Sequence, residues 1–227
     1  FQLNPNQAPT GAVSISGSLR VGDTLSVSNS LADGNGLGAM SYQWYRDGNP
    51  IIHGSTLKDG VNGVDGLNGA KGITLSPDQR HAYVAGYNDN SISWFEANST
   101  TGSLTYRGTL NDGDNGIIDG LSGAHDVTIS NDGNFLYVAG FSDNSVSWFE
   151  RNASTGSLTF SGIVKNGANG ISNLLSVYSV CLSPDGQHLY ATSFNDHAIS
   201  WFDRNENTGG LVYRGSVQDN QNGVDGL

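Results

Sequence analysis

Ser130-Asn131-Asp132-Gly133, Phe135-Leu136-Tyr137-Val138, Ser145-Val146-Ser147-Trp148-Phe149-Glu150 and Thr155-Gly156 follow one another within 27 residues, and their order decides the fold. A polar turn leads into an aromatic strand, a second strand carries a Trp-Phe pair, and a Thr-Gly turn closes the set. The same set stands upstream as Ser76-Pro77-Asp78, His81-Ala82-Tyr83-Val84, Trp94-Phe95 and Thr101-Gly102. Downstream it stands as Ser183-Pro184-Asp185-Gly186, His188-Leu189-Tyr190-Ala191, Trp201-Phe202 and Thr208-Gly209. The spacing is 53 to 54 residues, a period that marks a modular array.

Each copy resolves into four short strands, in the second copy roughly 124–130, 135–141, 145–151 and 157–164. Val146 and Trp148 share one face of the third strand and Phe149 takes the other, so both faces carry bulk. A sheet of that kind packs between neighbouring sheets, which is the situation of a propeller blade. The sequence thus predicts an all-β propeller of four-stranded antiparallel blades. Three copies are fewer than the about four to eight blades of a closed ring. Upstream, Ala12-Val13-Ser14-Ile15-Ser16, Thr24-Leu25-Ser26-Val27-Ser28, Ser41-Tyr42-Gln43-Trp44-Tyr45-Arg46 and the stretch after Pro50 supply four more strands, read as a divergent fourth unit. The expected divisions are 1–57 for that unit, 58–121 for the first blade with its loops, 122–174 for the second and 175–227 for the third. Two chains sharing a ring of seven or eight blades, a homodimer, is the alternative route to closure.

Composition agrees with many tight turns: the 227 residues include 32 Gly, and only 14% are charged. With 21 acidic against 10 basic residues the net charge is -11, which excludes a nucleic-acid partner, since a phosphate backbone demands clustered Lys and Arg. No apolar run reaches the length of a membrane span. The acidic, weakly charged composition fits a secreted protein or one that meets cations. The chain has no initiator Met and stops within a repeated motif at Asp225-Gly226-Leu227, which reads as a piece of something longer. Cys181, the single cysteine, stands where the other copies have Thr74 and Thr128 and reads as a small strand residue.

Two resemblances follow from these motifs. Residues 68–227 resemble the bacterial seven-bladed propellers of the lactonase and 6-phosphogluconolactonase-like family, through Ser183-Pro184-Asp185-Gly186 with His188-Leu189-Tyr190, Asp143 to Phe149, and Thr155-Gly156-Ser157-Leu158-Thr159. Residues 8–52 resemble the first half of a bacterial immunoglobulin-like adhesin domain, through Ala8-Pro9-Thr10-Gly11, Gly22-Asp23-Thr24-Leu25 and Ser41 to Gly48. The first implies a propeller and, as an activity, lactone hydrolysis. The second implies surface adhesion.

Two polar features invite chemistry. The first residues of each innermost strand sit at one mouth of a propeller's channel. Here these are Lys71, His125 with Asp126, and Tyr178 with Ser179, a varied ring on a constant scaffold. His125 is the candidate base for a lactonase. Its neighbour Asp126 is expected on the opposite face of the strand and so makes a poor dyad partner. The inter-blade loops offer oxygen ligands: Asp112, Asp114 and Asp119 form the candidate set for calcium, which takes about six to eight oxygens. The equivalent loop 166–173 has no carboxylate, which favours Asx-turns as the loops' role. No organic cofactor is implied, and Ca2+ is the one candidate ion. Trp94, Trp148 and Trp201 recur at one strand position and read as packing between sheets. On balance the sequence reading favours a non-enzymatic surface module that binds a glycan or protein. A lactonase-type hydrolase at the channel mouth is the alternative, with a calcium-dependent glycan-binding propeller as a third reading.

Overall fold

In the computed structural model, the described residues are 10–17, 25–32, 44–46, 49–51 and 56–226. The chain divides into two compact units, Phe1–His53 and Gly54–Leu227. In the first unit, β1 (Val13–Gly17) pairs antiparallel with β2 (Leu25–Asn29), and β3 (Trp44–Arg46) with β4 (Asn49–Ile51). These are two separate two-stranded sheets. Much of the stretch that carries the immunoglobulin-like resemblance, including Ala8-Pro9, Gly22 to Thr24 and Ser41 to Gln43, lies outside the described residues.

The second unit holds three four-stranded antiparallel meanders. Blade 1 is β5 (Ala70–Leu75), β6 (His81–Gly86), β7 (Ser91–Ala97) and β8 (Leu104–Asn111). Blade 2 is β9 (Ala124–Ile129), β10 (Phe135–Gly140), β11 (Ser145–Arg151) and β12 (Leu158–Lys165). Blade 3 is β13 (Val177–Leu182), β14 (His188–Ser193), β15 (Ala198–Arg204) and β16 (Leu211–Gln218). The only helical turn among the described residues is Asp114–Gly116. The all-β, bladed fold is as the period predicts.

Local chemistry explains the meander. In the first hairpin of each blade a serine and an aspartate close the turn. Ser76 Oγ donates to Asp78 and accepts from the His81 N–H, and Ser130 with Asp132 and Ser183 with Asp185 repeat this. The third hairpin is closed by an asparagine: Asn98, Asn152 and Asn205 each accept two backbone N–H bonds, an Asx-turn. Between the third and fourth strands a bulge follows each tryptophan, and its cross-strand partner is a glycine: Trp94 faces Gly108, Trp148 Gly162, Trp201 Gly215. A Cβ at Gly162 would lie 2.2 Å from the Trp148 ring, so only glycine lets the indole lie flat on the strand.

The core sits between blades. One face of blade 1 (Tyr83, Ala85, Ile92) packs on Leu136, Val138 and Phe149 of blade 2. The opposite face of blade 2 (Tyr137, Ala139, Val146) packs on Leu189, Ala191 and Phe202 of blade 3. The two interfaces are also fastened by the same polar clasp. Tyr83 donates its hydroxyl to the carbonyl of Gly156, and Arg151 reaches back with Nε to Tyr83 Oη (2.8 Å), Nη1 to the Gly133 carbonyl and Nη2 to Asp78 (2.8 Å). One blade on, Tyr137 donates to Gly209, while Arg204 bonds Tyr137 Oη (2.6 Å) and Gly186 and pairs with Asp132 (3.3 Å). Both arginines and both tyrosines are buried. Burial pushes the pKa of each tyrosine hydroxyl up to about 12, so at neutral pH it is protonated and donates.

Candidate functional site

Every innermost strand begins with a bulge. Ala70 pairs with Gly86 but Ile73 with Val84; Ala124 pairs with Gly140 but Asp126 with Ala139; Val177 pairs with Ser193 but Ser179 with Thr192. The surplus residues include Lys71, His125 and Tyr178. A bulge takes a residue out of the ladder and re-aims its side chain, and here all three turn toward one place. Lys71, Gly72, His125, Asp126, Tyr178 and Ser179 line a single cavity of about 280 Å³. The structure therefore brings together all five residues that the sequence put at the channel mouth.

His125 lies against Tyr178, ring centroids 3.9 Å apart, and its Nδ1 is 2.8 Å from the Tyr178 backbone carbonyl. A carbonyl only accepts, so Nδ1 carries the proton and Nε2 keeps its lone pair. Burial pulls the His125 pKa below the ordinary 6.5, against the opposing effect of the bond to Tyr178, and the Lys71 charge adds to the lowering. At neutral pH the ring is uncharged and able to take a proton. Asp126 lines the same cavity as His125, since the bulge breaks the strand alternation, but its carboxylate is engaged with blade 3. Its Oδ2 accepts from Ser179 Oγ (2.5 Å) and the Val180 N–H (3.0 Å), tying blade 2 to blade 3. Gly72 holds the corresponding place in blade 1, where a Cβ would come within 2.7 Å of the Asp126 Cα.

The sequence reading missed a rim of aromatic rings. Tyr87, Phe141 and Phe194 each follow directly on the second strand of their blade, and they alternate with the bulged residues. Tyr87 is 6.0 Å from His125 and from Phe141, and Tyr178 is 6.5 Å from Phe141 and 6.0 Å from Phe194. Lys71 Nζ stands 5.6 Å from the Tyr87 ring centre. Tyr178 is 46% exposed and Phe194 60%, so the rim offers apolar ring faces to solvent. Its signal was available in the period: an aromatic residue stands at that position in every copy.

The acidic loops are arranged differently from the expected set. Carboxylate oxygens of Asp112, Asp119 and Asp143 lie within 4.8 Å of one another, as do those of Asp59, Asp65 and Asp89. Asp114 is outside both groups, because its carboxylate accepts the Asn111 N–H. Lys165 Nζ already stands 2.8 Å from Asp119 and 3.7 Å from Asp143, supplying a cation to the first group. Burial raises the Asp143 pKa, and the charges of Asp112 and Asp119 add to it. Asp59, Asp112 and Asn166 all accept a backbone N–H from the far end of their loop, at Leu67, Leu121 and Leu174. An amide oxygen does the carboxylate's work in the third loop, which accounts for the loss of charge there.

The blades and the mouth together define a β-propeller, and comparison with known families narrows this. Residues 61–224 match the family model described as lactonase, 7-bladed beta-propeller, and the chain belongs to that family. Among solved structures it is similar to a putative 6-phosphogluconolactonase from Bacteroides uniformis (22% identity, TM-score 0.57, covering 70% of this chain and 42% of that one). It is also similar to one from Bacteroides fragilis (20%, 0.57, 70% and 40%) and to the periplasmic gluconolactonase PpgL of Pseudomonas aeruginosa (23%, 0.57, 67% and 40%). The chain thus spans about two fifths of the length of these proteins. No curated protein sequence matches it significantly. These findings overturn the preference for a non-enzymatic adhesion module. That preference rested on the adhesin-like residues 8–52, the acidic composition and the lack of a convergent catalytic set in the sequence, whereas the lactonase family match covers the repeats, residues 61–224. No helix among the described residues is long and apolar enough to cross a membrane.

Proposed function

We propose that the chain contributes the mouth of a lactone-hydrolysing site, with a sugar-derived lactone as substrate. The observation that carries this reading is one cavity lined by His125, Lys71 and Tyr178, with the rings of Tyr87 and Phe141 beside His125. The family membership and the lactonase names of the similar structures support the reaction class.

In this reading Tyr178, Phe141 and Tyr87 receive the apolar face of the sugar ring, as aromatic faces do. His125 Nε2 takes a proton from water as its oxygen attacks the lactone carbonyl. Lys71 supplies the positive charge that stabilises the carbonyl oxygen as it gains charge. The ring C–O bond then breaks, and the imidazolium returns its proton to the leaving alkoxide, giving the open-chain hydroxy acid. Asp126 acts as a positioning residue, since through Ser179 and Val180 it fixes Tyr178, whose carbonyl sets the His125 tautomer. The acidic composition continues to support a secreted setting.

The test is hydrolysis of a panel of sugar lactones, followed as acid release. Lys71→Ala should lower kcat by about 10²-fold with a smaller change in KM, as for loss of one oxyanion donor. Phe141→Ala should raise KM more than it lowers kcat, because stacking is made before and during reaction alike. Absence of turnover across the panel in the intact chain would sink the proposal.

A further inference from the structure

Both blade interfaces in the chain seat a turn glycine of one blade on a ring from the blade before it. A Cβ at Gly156 would come within 2.3 Å of the His81 ring, and one at Gly209 within 2.5 Å of the Phe135 ring. His81 and Phe135 stand first in the second strands of blades 1 and 2, and both are buried. Each ring also lies against the clasp arginine, but in a different way. The Arg204 guanidinium carbon stands 5.6 Å from the Phe135 ring centre, a contact with nothing on the ring to titrate. Arg151 sets Nη2 2.8 Å from His81 Nδ1. A guanidinium only donates, so Nδ1 is the acceptor and carries no proton. His81 is therefore neutral while the clasp is closed.

We propose that His81 is an acid-sensitive latch: a proton on Nδ1 opens the clasp end of the interface between blades 1 and 2, while the interface between blades 2 and 3 stays closed. The proton turns the acceptor into a second donor and sets two cations against each other out of water, where repulsion is least screened. Moving Arg151 away also releases its bonds to Tyr83 and Asp78, since one guanidinium makes all three contacts. Burial disfavours a charge on the ring most. Of the charged groups around it, Arg151 and Arg80 oppose protonation, and Asp78 and Glu96 favour it. Both carboxylates have other partners: Asp78 accepts from Ser76, Arg151 and the Arg80 N–H, and Glu96 from Arg107. The blade 2 turn that covers the ring, 152–156, contains no charged residue. At the other end of the interface the Gly123 N–H donates to the Asn90 side chain, a bond that does not titrate, so the blades stay joined there.

Leu136 and Leu189 are second in their strands and wholly buried, one in each interface. We would place a thiol at each in turn, Leu136→Cys or Leu189→Cys with Cys181→Ser in the full chain. Its labelling would be measured between pH 7 and pH 5, relative to the urea-unfolded chain at the same pH. At position 136 relative labelling should rise by up to about tenfold for each pH unit below 6.5, the limit for uptake of one proton. At position 189 it should not change. His81→Phe should abolish the rise, and Phe135→His should confer one at position 189. Amide exchange of residues 80–86 in the parent chain and in His81→Phe, corrected for intrinsic rates, repeats the test without a thiol in the core. A rise that survives His81→Phe, or equal rises at the two positions, would overturn the proposal. So would labelling at position 136 that is indifferent to pH.

Discussion

His125 shows how one residue's backbone position decides its chemistry. The bulge lifts it from the ladder, its Nδ1–H donates to the Tyr178 carbonyl, and burial favours the neutral ring. His125→Ala should therefore lower lactone turnover by about 10²- to 10⁴-fold, the usual contribution of a positioned base. Wild-type turnover should fall on acidification through a pKa below the ordinary 6.5 and stay level above it, because only the neutral ring accepts the proton. A bell whose acid limb lies above that value would assign the base elsewhere. At Gly162 the demand is steric. Gly162→Ala drives a methyl into the Trp148 ring and should cost about 1–3 kcal/mol, as overpacking does, measurable as a shift in the urea midpoint.

At the scale of the element, the inter-blade clasp governs stability. Arg151→Ala removes the donor to Gly133 and the ion pair to Asp78 and should destabilise by about 2–3 kcal/mol, in the range for leaving buried hydrogen-bonding groups unmet. Arg151→Lys should recover little, because an ammonium cannot reproduce the planar fork that meets Tyr83, Gly133 and Asp78 together. Equal stability of the lysine variant and the parent in urea unfolding would contradict this. His81 is buried beside Arg151, whose Nη2 donates to its Nδ1, and burial followed by the Arg151 charge lowers its pKa. Above 6.5 both the folded and the unfolded imidazole are neutral. As pH falls below 6.5 the unfolded chain takes a proton that folded His81 refuses, so stability drops on acidification. His81→Phe, the residue that stands at 135 in the second copy, should flatten that slope in melts between pH 5 and 7. Burial works to raise the Asp78 pKa. Bonds from Ser76, Arg151 and the Arg80 N–H outweigh it and hold the carboxyl at about 2, so its contribution is lost only at still lower pH, from 3.8 downward.

The strands themselves were legible from the period alone: the expected 135–141 and 145–151 are found as Phe135–Gly140 and Ser145–Arg151. The five mouth residues were legible because the scaffold repeats while they vary. The bulges were not, since nothing in Ala124-His125-Asp126 announces an extra residue in the ladder. Nor was the clasp, whose partners lie 67 to 73 residues apart in different copies. Asp143 reads as an ordinary turn residue until the fold sets it beside Asp112 and Asp119.

For the whole molecule, the acidic loops and the mouth make separate predictions. Because Lys165 occupies the Asp112, Asp119 and Asp143 group and backbone N–H bonds engage Asp59 and Asp89, chelator should leave the melting temperature unchanged. A drop of several degrees on chelation would show that calcium holds the loops together. The reaction assigned to the mouth is tested most directly by one comparison: initial rates of acid release from a sugar lactone, intact chain against His125→Ala, at a pH above 7. The account predicts clear turnover by the parent and a loss of about 10²-fold or more in the variant. Equal rates in the two proteins would contradict it, since the imidazole that lines the cavity would then take no part in the chemistry.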